Sequence, residues 1–349
     1  MDRVLRVLVI DDSAYVRKVV KQMLSRSPFI EVVGTARDGT EGLEKVRELN
    51  PDVVTCDLIM PELDGLGFLR EQMARKFVPV VAVSIANESG ELALAALDAG
   101  AIDFVQKPTA LATEKIYEVS DELIEKVKAA ATASKTLLHT LPSGGSADAR
   151  PVFAVERPAG LIDIVVLGIS TGGPQALKYL VPQLPADLAV PLAVVLHMPV
   201  GYTEMYARKL DSMSQIKVIE ARDGDRIEPG VMLLAPAGRH LTFQREASGA
   251  VVTHLDTRPF DTAHRPSVDV LFRSAADTFG SRTMGVVMTG MGSDGKQGAA
   301  WIKSQGGLIF TEAEETCVIY GMPSAVMEAG LSDRSVPLDR MAQAILEVI

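Results

Sequence analysis

Asp11 and Asp12 stand together at the end of one apolar run and Asp57 ends another, while Ser84 and Lys107 close or follow two more. Three carboxylates on one edge repel one another unless a cation offsets them. A hard divalent ion with oxygen ligands, Mg2+ in a cell, would do so and would also polarise an incoming phosphoryl group. Asp57 could then attack phosphorus and become an acyl phosphate, with the Ser84 hydroxyl and the Lys107 ammonium on the phosphoryl oxygens. Any one of these acids alone reads equally well as a helix cap. Together, with Ser84 and Lys107 each at its own strand end, the five residues point to a pocket.

A second constellation lies further along. Gly168-Ile-Ser170-Thr-Gly172 satisfies G-x-S-x-G between an apolar run and a helical pattern. Such a turn exposes the serine hydroxyl near a helix N-terminus, where backbone N–H groups favour an oxyanion. The same glycine turn would also cradle phosphate. Catalysis needs a base and an orienting carboxylate. Of the five histidines, His139 sits in a Gly/Ser/Pro-rich stretch, His254 in a hairpin pattern, and His240 in a loop with a scaffold role. His264 opens His-Arg-Pro-Ser-Val-Asp before a helix, so it would line the site without being the base. His197 ends the strand that follows the serine's helix, which makes it the natural base. Asp294, after the run Val286–Thr289 and a glycine turn, is the candidate acid, with a plain N-cap as its other reading. No histidine follows Asp294, so this triad runs Ser, His, Asp. The α/β-hydrolase order would instead need His264 with an acid such as Asp225.

The elements that must hold these residues are legible as alternation. Strands are predicted at Arg6–Ile10, Glu31–Thr35, Val53–Asp57, Val80–Ser84 and Ile102–Val105, one helix apart, as in a parallel sheet covered on both faces. Ligand sites of such sheets lie at the carboxyl strand ends. A charged helical pattern runs from Thr113 to Leu138 and decays into a linker around 140–151. A second α/β block starts at Ile162, with strands at Ile162–Gly168, Ala193–His197, Lys217–Glu220, Val231–Ala235, Leu241–Gln244, Val251–Leu255, Met284–Thr289 and Leu308–Thr311, and an antiparallel hairpin within 231–255. The chain has 349 residues, more than one core usually holds. Its net charge of −10 disfavours a broad nucleic-acid surface, and no helix-turn-helix with a basic recognition helix follows the linker. No apolar run is long enough to span a bilayer, and the first one stops at Asp11, short of a signal peptide. Two cysteines, Cys56 and Cys317, make no disulfide framework, which fits a reducing cytoplasm.

Residues 4–122 resemble the receiver domain of two-component response regulators. The resemblance implies a five-stranded parallel (βα)5 fold of flavodoxin-like type, with Asp57 as phospho-acceptor. It also implies Mg2+ held by Asp12, Asp57 and the Ile59 carbonyl beside Asp11, and Phe104 as an aromatic switch responding to Ser84. The Ile85-Ala86 pair replaces small polar residues frequent in relatives. Gly-Ile-Ser-Thr-Gly-Gly, His-Met-Pro-Val-Gly-Tyr-Thr, Ala-Pro-Ala-Gly-Arg-His, His-Arg-Pro-Ser-Val-Asp and Thr-Gly-Met-Gly-Ser-Asp-Gly, in that order, resemble the CheB family of chemotaxis protein-glutamate methylesterases over residues 156–349. That implies a doubly wound, mostly parallel α/β sheet with a β-hairpin, joined by a linker at 123–155. It casts Ser170 as nucleophile, His197 as base, Asp294 as orienting acid, the backbone near Met291 as oxyanion donor, and Thr171 with His264 as lining. Leu196 and Ser293 depart from the family's frequent Gln and Asn, which bears on supporting hydrogen bonds. The implied function is a phosphorylation-regulated hydrolysis of glutamate γ-methyl esters on chemoreceptors, with glutamine deamidation in some members and a histidine kinase as phosphodonor. The esterase itself would need no cofactor. The rival is a response regulator with a non-enzymatic nucleotide- or partner-binding output.

Overall fold

Val53–Asp57 and Val80–Ser84 are buried at every position, as a strand covered on both faces must be. The computed structural model describes residues 3–84, 90–107, 113–133 and 162–349. It divides into two compact units, Met1–Leu138 and His139–Ile349. His139, the linker positions 134–155 and the Ile85-Ala86 pair lie outside the described residues. No described helix is long and apolar enough to cross a membrane.

The first unit is one parallel sheet in the order β2-β1-β3-β4-β5, with β1 at Leu5–Ile10, β2 at Ile30–Ala36, β3 at Val53–Asp57, β4 at Val80–Ser84 and β5 at Asp103–Gln106. Helices α1 (Ala14–Leu24), α2 (Gly39–Leu49), α3 (Gly65–Arg75), α4 (Gly90–Asp98) and α5 (Thr113–Ala130) connect or follow the strands. Side chains cap three of them: Ser13 accepts from Val16 N–H, Asp38 from Glu41 N–H and Asp64 from Gly67 N–H. The caps therefore fall on other residues and leave Asp11, Asp12 and Asp57 for the sheet edge. α5 stops at Ala130, short of the predicted Leu138. Its second half, which the expected linker at 123–155 would include, buries Leu123, Ile124, Val127 and Ala130. That spacing is a helix's packed face.

The second unit carries a seven-stranded sheet in the order β14-β13-β12-β6-β7-β9-β8, parallel throughout. Its strands are β6 (Ile164–Ile169), β7 (Leu192–Leu196), β8 (Lys217–Glu220), β9 (Val231–Leu234), β12 (Thr283–Val287), β13 (Leu308–Glu312) and β14 (Arg334–Val336). β6 and β7 lie at its centre and are fully buried. Helices α6 (Gly173–Leu180), α7 (Thr203–Asp211), α8 (Val268–Phe279), α9 (Lys296–Ser304), α10 (Met322–Glu328) and α11 (Leu338–Leu346) accompany it. The antiparallel hairpin is narrower than predicted. Among the named strands of the described residues, β10 (His240–Arg245) and β11 (Val251–Asp256) alone pair that way, while β9 joins the parallel sheet between β7 and β8. β9 is buried at three of its four positions, whereas β10 runs out to exposed Gln244 and Arg245. A both-face strand and a one-face hairpin thus follow each other without a compositional break.

Candidate functional site

Ser170 follows β6 and His197 follows β7, and the register Ile169↔Leu196 makes them neighbours across the central strand pair. The His197 amide donates to Ile169 O at 3.2 Å, and the Ser170 amide to Thr289 O at 3.0 Å, so Ser170 sits between the ends of β7 and β12. Gly172, at φ 81°, starts α6; a side chain there would lie 2.5 Å from Val318 Cβ. Only glycine makes that turn cheaply, and it sets Ser170 beside the helix N-terminus.

Asp294 reaches His197 from the turn after β12: Nε2 lies 2.9 Å from Asp294 Oδ2. The acid accepts three further hydrogen bonds, from the Val268 amide (2.8 Å), the Asp269 amide (2.9 Å) and the Ser267 hydroxyl (2.9 Å). Burial alone would raise its pKa, but the bond to His197 and the amides of Asp269 and Val268 outweigh burial and hold the carboxyl well below the usual range. The charged form of the acid is therefore the favoured one. With Nε2–H committed to Asp294, the other ring nitrogen, Nδ1, is the proton acceptor. Nδ1 is buried and has no hydrogen-bond partner among the described residues. No bond joins Ser170 Oγ to His197 among the described residues, and such contacts commonly tighten only when substrate arrives.

Around this core, the Gly290 amide is taken by Ile319 O, whereas the Met291 and Gly292 amides donate to no described residue. Those two N–H groups are available to an anion. His264 stacks on His197, with ring centroids 4.0 Å apart and planes 24° apart. Thr171 is buried, and its carbonyl accepts from the Thr289 hydroxyl at 3.0 Å. His240 is fully buried and accepts the Ser267 amide on Nδ1 (3.2 Å), which leaves Nε2–H facing Pro259 O (3.1 Å). Burial lowers its pKa, so it is a neutral scaffold that steadies the residue donating to Asp294. His254 pairs with Asp223 at the surface, and Asp225 accepts the Arg222 amide within its own turn. Neither joins His197.

In the first unit, one ligand atom from each of Asp11, Asp12 and Asp57 lies within 4.8 Å of the others. Lys107 Nζ is 2.6 Å from both Asp11 Oδ2 and Asp57 Oδ2, with all three residues buried. Burial pulls the lysine's pKa down, yet its bonds to the two acids leave it raised; burial likewise raises Asp11 despite Lys107. Three acids and one lysine leave a net negative pocket that could hold a hard divalent cation. Ser84 is buried at the end of β4, where its carbonyl accepts the Lys107 amide at 2.6 Å. Exposed Ile59 directs its amide at Asp57 Oδ1, 3.4 Å away. Phe104 is buried, and Lys126 on α5 places Nζ 5.6 Å from its ring centroid and 2.7 Å from its carbonyl.

Sequence reasoning did not find Glu312. It closes β13 fully buried, accepting the Thr289 amide at 2.9 Å and the Thr316 hydroxyl at 3.1 Å. It therefore braces the strand end that receives the Ser170 amide. A lone Glu after an apolar strand carries no signal of burial.

Two family models cover the chain: CheB methylesterase matches residues 165–345 and the response regulator receiver domain matches residues 7–118. A Myxococcus xanthus protein called protein-glutamate methylesterase/protein-glutamine glutaminase 5 is 51% identical over 97% of this chain and 96% of its own length. A Geobacillus kaustophilus protein-glutamate methylesterase/protein-glutamine glutaminase is 45% identical over 99% of both chains. The crystal structure of the Thermotoga maritima CheB methylesterase catalytic domain is similar at a TM-score of 0.53 and 40% identity, covering 54% of this chain and 99% of that one.

Burial pushes the Glu312 carboxyl up to about 7, against bonds from Thr289 and Thr316 that favour the anion. A folded-state pKa above the unfolded value means stability is lost as pH rises from about 4.5 through about 7, on the order of 3 kcal/mol in full. Glu312→Gln mimics the protonated form. Its melting temperature is expected to match the parent's near about pH 5 and to exceed it by several degrees near about pH 8. Equal melting temperatures at both would show that the fold does not raise this carboxyl above its ordinary range.

Proposed function

This chain belongs to the CheB methylesterase family, with a response regulator receiver domain in front, and on that premise we propose that it hydrolyses glutamyl γ-methyl esters on chemoreceptors through a Ser170–His197–Asp294 triad. The observation that carries the reading is the 2.9 Å bond between the part-buried Asp294 carboxyl and His197, on the strand end next to Ser170. Ser170 Oγ attacks the ester carbonyl as His197 Nδ1 takes its proton. Asp294 keeps the ring in the tautomer that makes Nδ1 basic and stabilises the imidazolium. The oxyanion is met by the Met291 and Gly292 amides. His197 returns the proton to the departing methanol, then draws one from the water that releases glutamate. A glutamine side chain follows the same course with ammonia leaving, the second activity in the relatives' names. His264 and Thr171 line the site. A non-enzymatic output domain has no support from the family match.

The receiver reading takes Asp57 as phospho-acceptor. Asp11, Asp12 and Asp57, with the Ile59 carbonyl, would hold Mg2+, whose bound charge offsets the acids and the incoming phosphoryl group. Lys107 stays protonated between Asp11 and Asp57, so it is placed for the phosphoryl oxygens, and Ser84 with Phe104 would relay the change. We take the unphosphorylated receiver to inhibit the esterase and phosphorylation to relieve it. A chemotaxis histidine kinase would be the donor and methylated chemoreceptors the substrate, which puts the enzyme in the cytoplasm.

Ser170→Ala is expected to abolish methanol release from methylated receptor and to lose labelling by a fluorophosphonate probe. Retained turnover removes Ser170 as nucleophile. A small-molecule phosphodonor should raise methanol release by the full chain and leave Asp57→Asn unchanged; equal stimulation of that variant would remove Asp57 as the acceptor.

A further inference from the structure

The motif His-Arg-Pro-Ser-Val-Asp contributes His264 to the site, yet its last residue has no part in the reaction as derived. Asp269 stands in the first turn of α8 with its side chain directed at the start of α9. Its Oδ1 accepts the Gly295 amide at 2.9 Å and the Gly298 amide at 2.7 Å. In return, the Asp294 carboxylate accepts the amides of Val268 and Asp269. Each acid thus satisfies N–H groups at the start of the helix that the other precedes or begins. Neither helix has a capping bond from its own N-cap residue, Ser267 or Gly295. The two helix starts also touch: a Cβ on Gly298 would lie 3.0 Å from Asp269 Cα, and one on Gly295 2.9 Å from Val268 Cγ1.

We propose that Asp269 is the positioning residue for Asp294: by tying down the Gly295 and Gly298 amides it fixes the turn that presents the Asp294 carboxylate to His197. The proposal rests on the esterase reading and names what holds its acid in place. A second acid at this spot has an electrostatic cost. Burial first, and then the charge of Asp294, push the Asp269 carboxyl up to about 6 against the bonds from the glycine amides. The other titratable and charged groups about the pair are His197, His264 stacked on it, His240 beneath Ser267, Arg265, and Lys296 at the start of α9. What the geometry gives Asp269 is an acceptor oxygen for the Gly295 and Gly298 amides, and that acceptor rather than the charge is its role.

The test is steady-state kinetics of the full chain on methylated receptor, with the pH dependence of kcat/KM, for Asp269→Ala, Asp269→Asn and Asp269→Glu. Turnover counts only where Ser170→Ala removes it. In Asp269→Ala the expected result is a fall in kcat of roughly tenfold to a hundredfold. KM should stay within about twofold. The acid limb of its kcat/KM profile should move to lower pH, because a loosened Asp294 no longer favours the imidazolium. Asp269→Asn keeps an oxygen toward both glycines and should restore kcat to within about threefold. Should the alanine variant fail to fold, Asp269→Glu decides: it keeps the charge but displaces the acceptor by one methylene, and should lose kcat with KM preserved. Native kcat and an unmoved acid limb in the alanine or glutamate variant would overturn the proposal, as would an asparagine variant as impaired as the alanine. Turnover surviving Ser170→Ala would instead overturn the esterase reading, and this proposal with it.

Discussion

A carboxylate taken out of water must be met by donors or it will not stay charged. Asp294 meets that condition with two helix amides, one hydroxyl and one imidazole, and the geometry of the catalytic edge follows from it. The amides belong to the first turn of α8, so the acid is fixed to that helix as well as to its own turn. The imidazole belongs to the end of β7, so the acid also fixes which ring nitrogen carries a proton. These donors come from the start of α8 and the end of β7, so one carboxylate ties together three segments far apart in sequence.

Both units solve their chemical problem with the same architecture. A parallel sheet delivers every strand's carboxyl end to one edge, and polar residues placed there meet without any fold-specific device. In the first unit that edge gathers like charges, and Lys107 between Asp11 and Asp57 makes their proximity tolerable. In the second it gathers a hydroxyl, an imidazole and an acid from β6, β7 and the turn after β12. The strand bodies are nearly continuous Val, Ile, Leu and Ala, and serve to hold these ends in register.

Much of this was legible because it sits at strand ends. Runs such as Val53–Asp57 and Ile164–Ile169 announce themselves by composition, and the residue that stops each run is a polar one with chemistry. Ser170 and His197 stand at such ends, Asp294 comes one glycine turn beyond another, and the structure brings His197 and Asp294 into contact. What stayed hidden lacks a local pattern. β9 reads like one arm of a hairpin, because apolar residues and a following turn look alike in either sheet. β14, three residues of Arg-Ser-Val, is too short to show a period. Glu312 and Asp269 look like ordinary surface acids, since the amides they serve lie 23 and 26 to 29 residues away.

The most direct measurement of the central claim is the rate of methanol release from methylated receptor by Asp294→Asn, compared with the parent at the same pH. The account predicts a fall in kcat of roughly three to four orders of magnitude, because an amide presents the wrong partner to His197 Nε2–H and stabilises no imidazolium. A folded Asp294→Asn enzyme that keeps kcat within about tenfold of the parent would contradict it.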